Sequence, residues 1–491
     1  MQNLYFCGMN LKGALKHEIF EIICESAKDL GQETYVVGGF VRDFLLERDS
    51  NLSAAGRQDI DFVTVGSGIK LAQKVHSKLK NASKLSVFKR FGTANFKWDG
   101  IELEFVGARR ESYSQDSRKP FVEDGTLEDD QKRRDFTINA LAISLNEKNY
   151  GELMDPFDGV GDLEKKIIRT PLDPDVTYSD DPLRMMRAIR FAAQLKFEIE
   201  ENSFNSIIKN ASRIEIVSKE RVMDEFQKTL MTERPSVGLK LLDDAGLMKF
   251  ILPELAALKG IEEIEGQTHK DNFYHTLEVV DNISPNTDNI WLRWAALLHD
   301  IGKASTKRYD KKIGWTFHSH EFIGSKMVFK LFKRQKLPLG NPVKYVQKIV
   351  RLSSRPISLI DEKVTDSALR RLLFEAGDDF EDLITLCKAD ITTKNEKKQK
   401  RFRKNFILVE EKIKEVEERD KVRNFQPPVS GEEIMETFGL QPCKEVGLIK
   451  NAIKEAILEG EIENNHESAL KYMLELGKKL YLTPKLKNSD L

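Results

Sequence analysis

Hydrophobic periodicity changes character near residue 135, and that single change limits what the chain can fold into. Upstream of it, "ETYVVGGFVRDFLL" reads as strand, glycine turn and helix, "QDIDFVTVG" as a second strand and "GIKLAQKVHSKL" as a helix. The stretch "LSVFKRFGTANFKWDGIELEFVG" alternates like a hairpin with Asp99-Gly100 at its turn. Downstream, strand signals become rare, and "RRDFTINALAISL", "DPLRMMRAIRFAAQL", "SKERVMDEFQKTLM" and "PSVGLKLLDDAGLMKFI" carry apolar residues at helical spacing. The expected fold class is α+β, a small mixed sheet with helices followed by segments that are almost all α.

At 491 residues the chain has room for several domains. We expect a sheet-bearing head over residues 9–145, a helical neck over 146–260, a second helical domain over 261–395 and a helical tail over 396–491. Pro253 and the loop "GQTHKDN" mark the boundary near 260. The charged "RKNFILVEEKIKEVEERDKVRN" and the turn "QPPVSGEE" belong to the tail. The opening "MQNLYFCG" precedes a second Met at position 9 and differs in character from the residues after it, so residues 1–8 read as a start-site or expression remnant.

With 78 basic against 79 acidic residues, the net charge of −1 excludes a globally basic nucleic-acid coat, and contact with a polyanion must come from local patches. The four cysteines, Cys7, Cys24, Cys387 and Cys443, have no C-x-x-C spacing, which fits a reducing cytosol and no thiolate zinc site. No apolar run approaches the length of a membrane span, and no basic-then-apolar leader opens the chain. A soluble, cytoplasmic protein without a membrane partner is expected. Oligomeric state is not legible.

Within "QDIDFVTVG", Asp59 and Asp61 are two residues apart in an apolar run, so both project from one face of the strand. Two like charges held that close repel, unless a divalent cation lies between them. Mg²⁺ prefers hard oxygen ligands of this kind, often one or two carboxylates with substrate phosphates. The alternative is an edge strand with both charges facing water. In "YVVGGFVRDFLL", Gly38 and Gly39 lie where a strand gives way to a helix, so backbone N–H groups can approach a phosphate, and Arg42 is one turn on. An ordinary turn is the alternative. Glu104, in "IELEFVG", is either a third carboxylate for the cation or a solvent-facing strand residue.

In "KRRDFTINALA" we expect Arg133 and Arg134 to open a helix on which Asp135 and Asn139 share a face, with the arginines directed at phosphate or all four acting as helix caps. In "SDDPLRMMRAIRFAAQLKF", Asp181 and Arg184 stand at i and i+3 on an expected helix, with Arg187 and Arg190 on the following turns. A salt-bridged helix face is one reading. The other is a protein template, in which Asp accepts from an exocyclic amine and Arg donates to the adjacent ring nitrogen. That pattern fits cytosine and adenine and leaves uracil and guanine with unpaired polar groups.

Taken in order, "GGFVRDFLL", "DIDFVT", "RRDFTINALA", "DPFDGVGDL" and "DDPLRMMRAIRFAAQL" resemble the bacterial-type (class II) tRNA nucleotidyltransferase and poly(A) polymerase family over residues 30 to 255. The resemblance implies a polymerase-β-like head, catalytic Asp59 and Asp61 binding Mg²⁺, and Gly39, Arg42, Arg134, Arg184 and Arg187 around an incoming CTP or ATP. Its partner would be the 3′ end of tRNA. The family's reading motif begins Glu-Asp, whereas here Asp180 precedes Asp181. "ESYSQDSRKPFVEDGTL" corresponds to the loop that full CCA-adding members use to switch from C to A, which leans away from a CC-only enzyme. The tail "LKNSDL" lacks the basic extension of poly(A) polymerases.

Five of the eight histidines, His269, His275, His299, His318 and His320, cluster within a tenth of the chain. Imidazoles with nearby carboxylates suit a divalent metal that activates water. The order resembles the HD phosphohydrolase superfamily and implies ligands His275, His299, Asp300, His318 and Asp390, of undetermined metal identity. "RLSSRP", where related domains have a further histidine, argues against a two-metal version. In "KNEKKQKRFRK" seven basic residues stand against one acidic, making Lys397, Lys398, Lys400, Arg401 and Arg403 an RNA-binding candidate or a solvated helix face. "SGEEIMETFGLQPCKEVGLIKNAIKEAILEGEIEN" resembles the family's C-terminal hairpin, suited to the tRNA elbow.

The reading favoured is addition of C, C and A, or a subset, to tRNA 3′ ends by two-metal nucleotidyl transfer. Its rivals are a poly(A) polymerase, an HD phosphohydrolase whose N-terminal half only binds RNA, and a non-catalytic RNA-binding protein.

Overall fold

The computed structural model describes residues 8–48, 59–114, 117–356, 359, 365–393 and 395–485, with the side chains of 111–122, 396, 398, 399, 402 and 403 outside the description. Nearly all of the expected 1–8 remnant and the tail "LKNSDL" therefore lie outside the described residues. The chain forms two compact units, Met1–Thr232 with Val237–Ile251 and Glu233–Ser236 with Leu252–Leu491. Among the described residues, no helix is long and apolar enough to cross a membrane.

In the first unit the elements run α1 (Glu18–Asp29), β1 (Thr34–Val37), α2 (Gly39–Leu45), β2 (Asp59–Thr64), α3 (Gly68–Lys78), β3 (Ser86–Phe88), β4 (Thr93–Trp98) and β5 (Ile101–Gly107). They continue with β6 (Arg109–Ser114), β7 (Ser117–Asp124), α4 (Leu127–Lys132), β8 (Ala142–Ser144), β9 (Leu153–Met154), α5 (Gly159–Lys165), α6 (Pro174–Asp180) and α7 (Leu183–Leu195). Seven strands make one mixed sheet in the order β3-β4-β5-β2-β1-β8-β9. Only β2 and β5 run parallel, because α3 and the β3-β4 hairpin intervene between them in the chain. The β4-β5 connection is the expected Asp99-Gly100 turn, with φ of 50° and 79°, as a two-residue hairpin requires. Strands β8 and β9 join this sheet although they lie beyond residue 135, where the apolar run of "INALAISL" reads as helix. The three buried residues of β8 and the two residues of β9 are too few to show an alternation.

Alternation along β2 decides the core. Ile60 and Phe62 are fully buried, and Phe62 stacks on Phe105 at 5.2 Å and meets Phe20 of α1 at 6.1 Å. The opposite face carries Asp59, Asp61 and Val63, the last packed in a cluster with Tyr35, Val37, Ala108, Leu127 and Ala142. Thus one strand buries an aromatic row on one face and presents carboxylates at one end of the other.

The second unit is almost wholly helical. Helix Ile290–Leu298, "IWLRWAALL", is apolar apart from Arg293 and is buried from Leu292 onward. Asn272–Ile283 and Phe380–Ala389 pack beside it, and the pair His320–Arg334 and Asn341–Leu352 forms a helical hairpin. Helices Glu396–Asp420, Gly431–Phe438, Lys444–Glu459 and His466–Lys479 complete it.

Phe62→Ala should destabilise the chain by about 3–5 kcal/mol through the cavity left against Phe20 and Phe105. Phe88→Ala, at a ring 47% exposed, should stay within about 0.5 kcal/mol. Urea melts followed by circular dichroism check both, and equal midpoints would contradict this account of the core.

Candidate active site and metal centre

Register places the carboxylates. In the parallel pair, Asp59 is opposite Glu102 and Asp61 opposite Glu104, so Asp59, Asp61 and Glu104 occupy one face of two adjacent strands. Asp59 is exposed, while Asp61 and Glu104 are half-buried. Burial raises the Asp61 carboxyl above the ordinary range, Arg134 opposes that rise, and Asp59 adds to it. Burial also raises Glu104, and Asp61 adds to it. This mutual repulsion on an all-oxygen donor set is what a hard divalent cation relieves, so the residues fit Mg²⁺.

Gly38 closes the site from β1. Its φ is +75°, and a Cβ there would lie 3.2 Å from Arg134 Nη1 and 3.6 Å from Asp61 Oδ2. Glycine therefore satisfies two demands, the left-handed turn into α2 and the close approach of a carboxylate and a guanidinium. Gly39 begins α2 as expected.

Arg133 and Arg134 do not open a helix. Thr126 and Asp129 form a capping box that starts α4, and Arg133 caps its far end. Residues 137–139 form only a short 3₁₀ turn. What orients both arginines is Asp130, fully buried on α4. One of its oxygens accepts from Arg133, and the other accepts from Arg134 Nε and Nη2 at 3.1 and 3.0 Å. Burial resists ionisation of Asp130, but the two guanidiniums hold its pKa below the ordinary value. Asp130 was missed in the sequence, although its i+3 and i+4 spacing to Arg133 and Arg134 is the signal that finds it.

Arg42 is buried and does not project freely toward a triphosphate. Its Nη1 donates to Asn139 Oδ1 at 2.7 Å, its Nε and Nη2 pair with Asp43, and its guanidinium lies 5.0 Å from the centre of the Phe191 ring. Asn139 in turn donates to Asp135 at 3.0 Å, and Asp135 accepts from Arg187 Nε at 2.7 Å. Burial of Asp135 works against its charge, yet Arg187 and Asn139 hold its pKa down to about 2. Arg187 and Arg190 also lie over Phe191, at 5.4 and 4.0 Å, and Arg190 donates to buried Glu225 at 2.6 Å. Asp135 and Asn139 thus do meet, in a loop rather than on a helix. Arg42 and Arg190 are mostly buried in this network, while Arg187 remains 34% exposed.

Asp181 is not on the helix that carries Arg184. It caps α6 at the bend before α7, accepts from Leu183 N at 3.3 Å, and lies 3.6 Å from Arg221. Pro182 breaks the helix that the i, i+3 spacing suggested. Arg184 lies in the first turn of α7, half-buried, and donates to the carbonyl of Arg133. This contact ties the two arginine motifs together. The segment expected as a flexible loop forms the antiparallel β6-β7 hairpin, with residues 115–116 outside the described residues.

In the second unit, Asp271 caps Asn272–Ile283 and so orients His275, while Asn289 caps Ile290–Leu298, which ends at His299-Asp300. His275, His299 and Asp300 form a buried group able to hold a metal ion. His275 Nε2 is 2.9 Å from Asp390 Oδ1, and His299 Nε2 is 3.3 Å from Asp300 and 3.6 Å from Asp390. His299 Nδ1 is 2.8 Å from the carbonyl of Ala296, which holds the ring, while buried Nε2 has no hydrogen-bond partner among the described residues. A ring nitrogen facing two carboxylates in this way could take part in holding a metal ion. Burial disfavours the imidazolium, but Asp300 and Asp390 still push the His299 pKa up to about 10. His318, expected as a ligand, is exposed and lies outside the buried group of His275, His299 and Asp300. His320, at the start of the next helix, reaches Asp300 at 3.4 Å instead. His269 accepts from the backbone N–H of Glu262 and packs edge-on to Trp315.

Lys397, Lys400 and Arg401 are exposed on helix Glu396–Asp420, and the side chains of Lys398 and Arg403 lie outside the described residues.

Similarity to known proteins has the same geography. Residues 34–169 match the poly A polymerase head domain, 196–259 the probable RNA- and SrmB-binding site of polymerase A, and 272–372 the HD domain. The A-adding tRNA nucleotidyltransferase of Deinococcus radiodurans is 31% identical over 352 residues, covering 70% of this chain and 78% of that one. The CCA-adding enzyme of Lactobacillus helveticus is 36% identical over 260 residues, covering 52% of this chain and 59% of that one. Among solved structures, the Bacillus stearothermophilus CCA-adding enzyme in complex with CTP has a TM-score of 0.65 at 24% identity, over 94% of this chain and 98% of that one. Sheet, carboxylate register, arginine motifs and similarity along the chain agree: it belongs to the tRNA nucleotidyltransferase and poly(A) polymerase family.

Proposed function

We propose that the chain adds C and A nucleotides, the full CCA or a subset, to the 3′ end of tRNA from CTP and ATP. The observation that carries the reading is the single-face set of Asp59, Asp61 and Glu104 beside Gly38 and Arg134. In the transfer, the RNA 3′-hydroxyl gives up its proton to solvent, its oxygen forms a bond to the α-phosphorus, the bond from that phosphorus to the α–β bridging oxygen breaks, and pyrophosphate leaves. Mg²⁺ held by Asp59 and Asp61 would supply charge neutralisation between the hydroxyl and the triphosphate. The chain's own residues position the reactants. Asp130 holds Arg133 and Arg134 toward the phosphates, and the Gly38-Gly39 turn admits the triphosphate to the backbone. Asp181 and Arg184 present the acceptor and donor that match the Watson–Crick edge of C or A. Arg42, Arg187 and Arg190, gathered on Phe191, with Asn139 and Asp135 linking Arg42 to Arg187, hold the wall of the nucleotide site.

Incubating the protein with tRNA lacking its last three nucleotides, Mg²⁺ and single NTPs should give two C additions and then one A. Addition of A alone to a tRNA ending in CC restricts the activity to A, and long adenosine tails would overturn the reading. Asp61→Asn should lower the rate by about three orders of magnitude, the equivalent of several kcal/mol of charge stabilisation.

Asp181→Ala should erode the preference for CTP and ATP over UTP and GTP by roughly tenfold or more, the equivalent of about 1–3 kcal/mol of base discrimination. Competition assays with paired NTPs measure it, and discrimination equal to wild type removes the template role.

In the second unit, His275, His299, Asp300 and Asp390, with His320 beside them, are read as a divalent-metal centre. The chain as purified should retain a divalent ion after desalting, and His299→Ala should lose it, as measured by elemental analysis. Equal metal content in the two proteins counts against the centre.

A further inference from the structure

The strongest unassigned feature is a charged cleft in the second unit. Residues 320–352, spanning the hairpin of His320–Arg334 and Asn341–Leu352, hold eight Lys or Arg and one acidic residue, Glu321, in a chain of net charge −1. Between Asn341–Leu352, Asp366–Ala376 and Lys444–Glu459 lies a cleft of about 580 Å³. Lys344, Lys348 and Arg351 enter it from one helix at i, i+4 and i+7, and therefore from one face.

Ion pairing accounts for only part of this charge. Lys348 is paired with Asp379, and Arg371, on the opposite wall, is paired with Glu455 and Glu459. Lys344 and Arg351 are exposed, and among the described residues neither has an acidic partner. A second cleft of about 660 Å³ shows that such imbalance is not general, because there Arg370, Arg419 and Lys421 are matched by Asp420, Glu461 and Glu463. The unmatched cleft also contains a ring. Phe374 lies 5.8 Å from Lys454 Nζ, against Phe425.

We propose that this cleft binds an internal phosphodiester of the RNA substrate, with Lys344 and Arg351 on the phosphate and Phe374 against the flanking nucleoside. The proposal rests on the reading of the chain as a tRNA-extending enzyme. An RNA strand fits better than a free phosphate compound because the charge runs on beyond the cleft. On the neighbouring helix, Phe322 and Phe329 are 45% and 44% exposed, and Lys326 lies 4.0 Å over the Phe322 ring. Lys330 and Lys333 continue the same exposed face. Cations interleaved with exposed rings track a phosphate backbone while offering stacking surfaces to bases.

The test uses the full chain carrying Lys344→Glu with Arg351→Glu. Both side chains are exposed and have no acidic partner among the described residues, and circular dichroism verifies the fold. Binding is measured by fluorescence anisotropy with full-length tRNA lacking its 3′ nucleotides, at several salt concentrations, and separately with ATP. The double variant should bind the tRNA at least tenfold more weakly, and its log–log salt slope should fall by about 2. KM for tRNA should rise while kcat changes less than twofold. The charge-removing pair Lys344→Gln with Arg351→Gln should show the same trend at smaller amplitude, and Lys148→Glu, an exposed control on the first unit, should show neither change. Unchanged tRNA affinity and slope overturn the proposal, as does a loss of ATP binding with tRNA binding intact, which would give the cleft to a free nucleotide. A wild-type chain that extends no tRNA defeats the proposed function instead, so the two failures are distinguishable.

Discussion

The parallel register of Asp59–Thr64 against Ile101–Gly107 is the constraint on which the head of this protein depends. Side chains alternate along both strands, so one pairing decides at once which residues are buried and which are presented. It stacks Phe62 on Phe105 beneath the first helices and, by the same geometry, sets Asp61 beside Glu104 on the other face. A slip of one residue would exchange the two sets, burying carboxylates and exposing aromatic rings. The free energy that buries the rings, about 1.5–3 kcal/mol for each, is thus what holds repelling carboxylates together.

Around that face the arginines are held rather than free. Guanidiniums have long, flexible stems, and directing them at a ligand requires counter-groups that are themselves rigid. Asp130, Asp135 and Glu225 are all buried, and each accepts from at least one arginine. A carboxylate without those partners would be costly at such depth, so sheet core and charged wall are mutually dependent. Phe191 extends the arrangement by offering one ring to Arg42, Arg187 and Arg190.

The second unit gathers charge differently. Its His/Asp cluster lies at the ends of helices, where capping residues fix how each helix begins and a backbone carbonyl holds the ring of His299. Imidazoles mixed with carboxylates suit a softer ion than the all-oxygen set on β2 does. The two units therefore offer chemically distinct sets of donor atoms.

Much of this was readable in advance. The strand, glycine turn and helix around Gly38, the hairpin at Asp99-Gly100, the paired aspartates and the HD histidines are local patterns whose physics acts within a few residues. The misreadings came where local spacing was ambiguous. Pro182 starts the helix of Arg184 after Asp181, so the two do not share one helix face, short strands beyond residue 135 are too buried to alternate, and which of His318 and His320 turns toward Asp300 is not set by their one-residue spacing. By itself, then, the sequence determined which elements form and which residue types are available for chemistry, because periodicity, capping and turn preferences are short-range. Tertiary structure alone decided which distant carboxylates share a face, that Arg42 is buried on Phe191, that buried Asp130 clamps two guanidiniums, and that Lys344 and Arg351 have no acidic partner among the described residues. Those outcomes depend on strand register, helix packing and the cost of burying charge, which act between residues far apart in the chain.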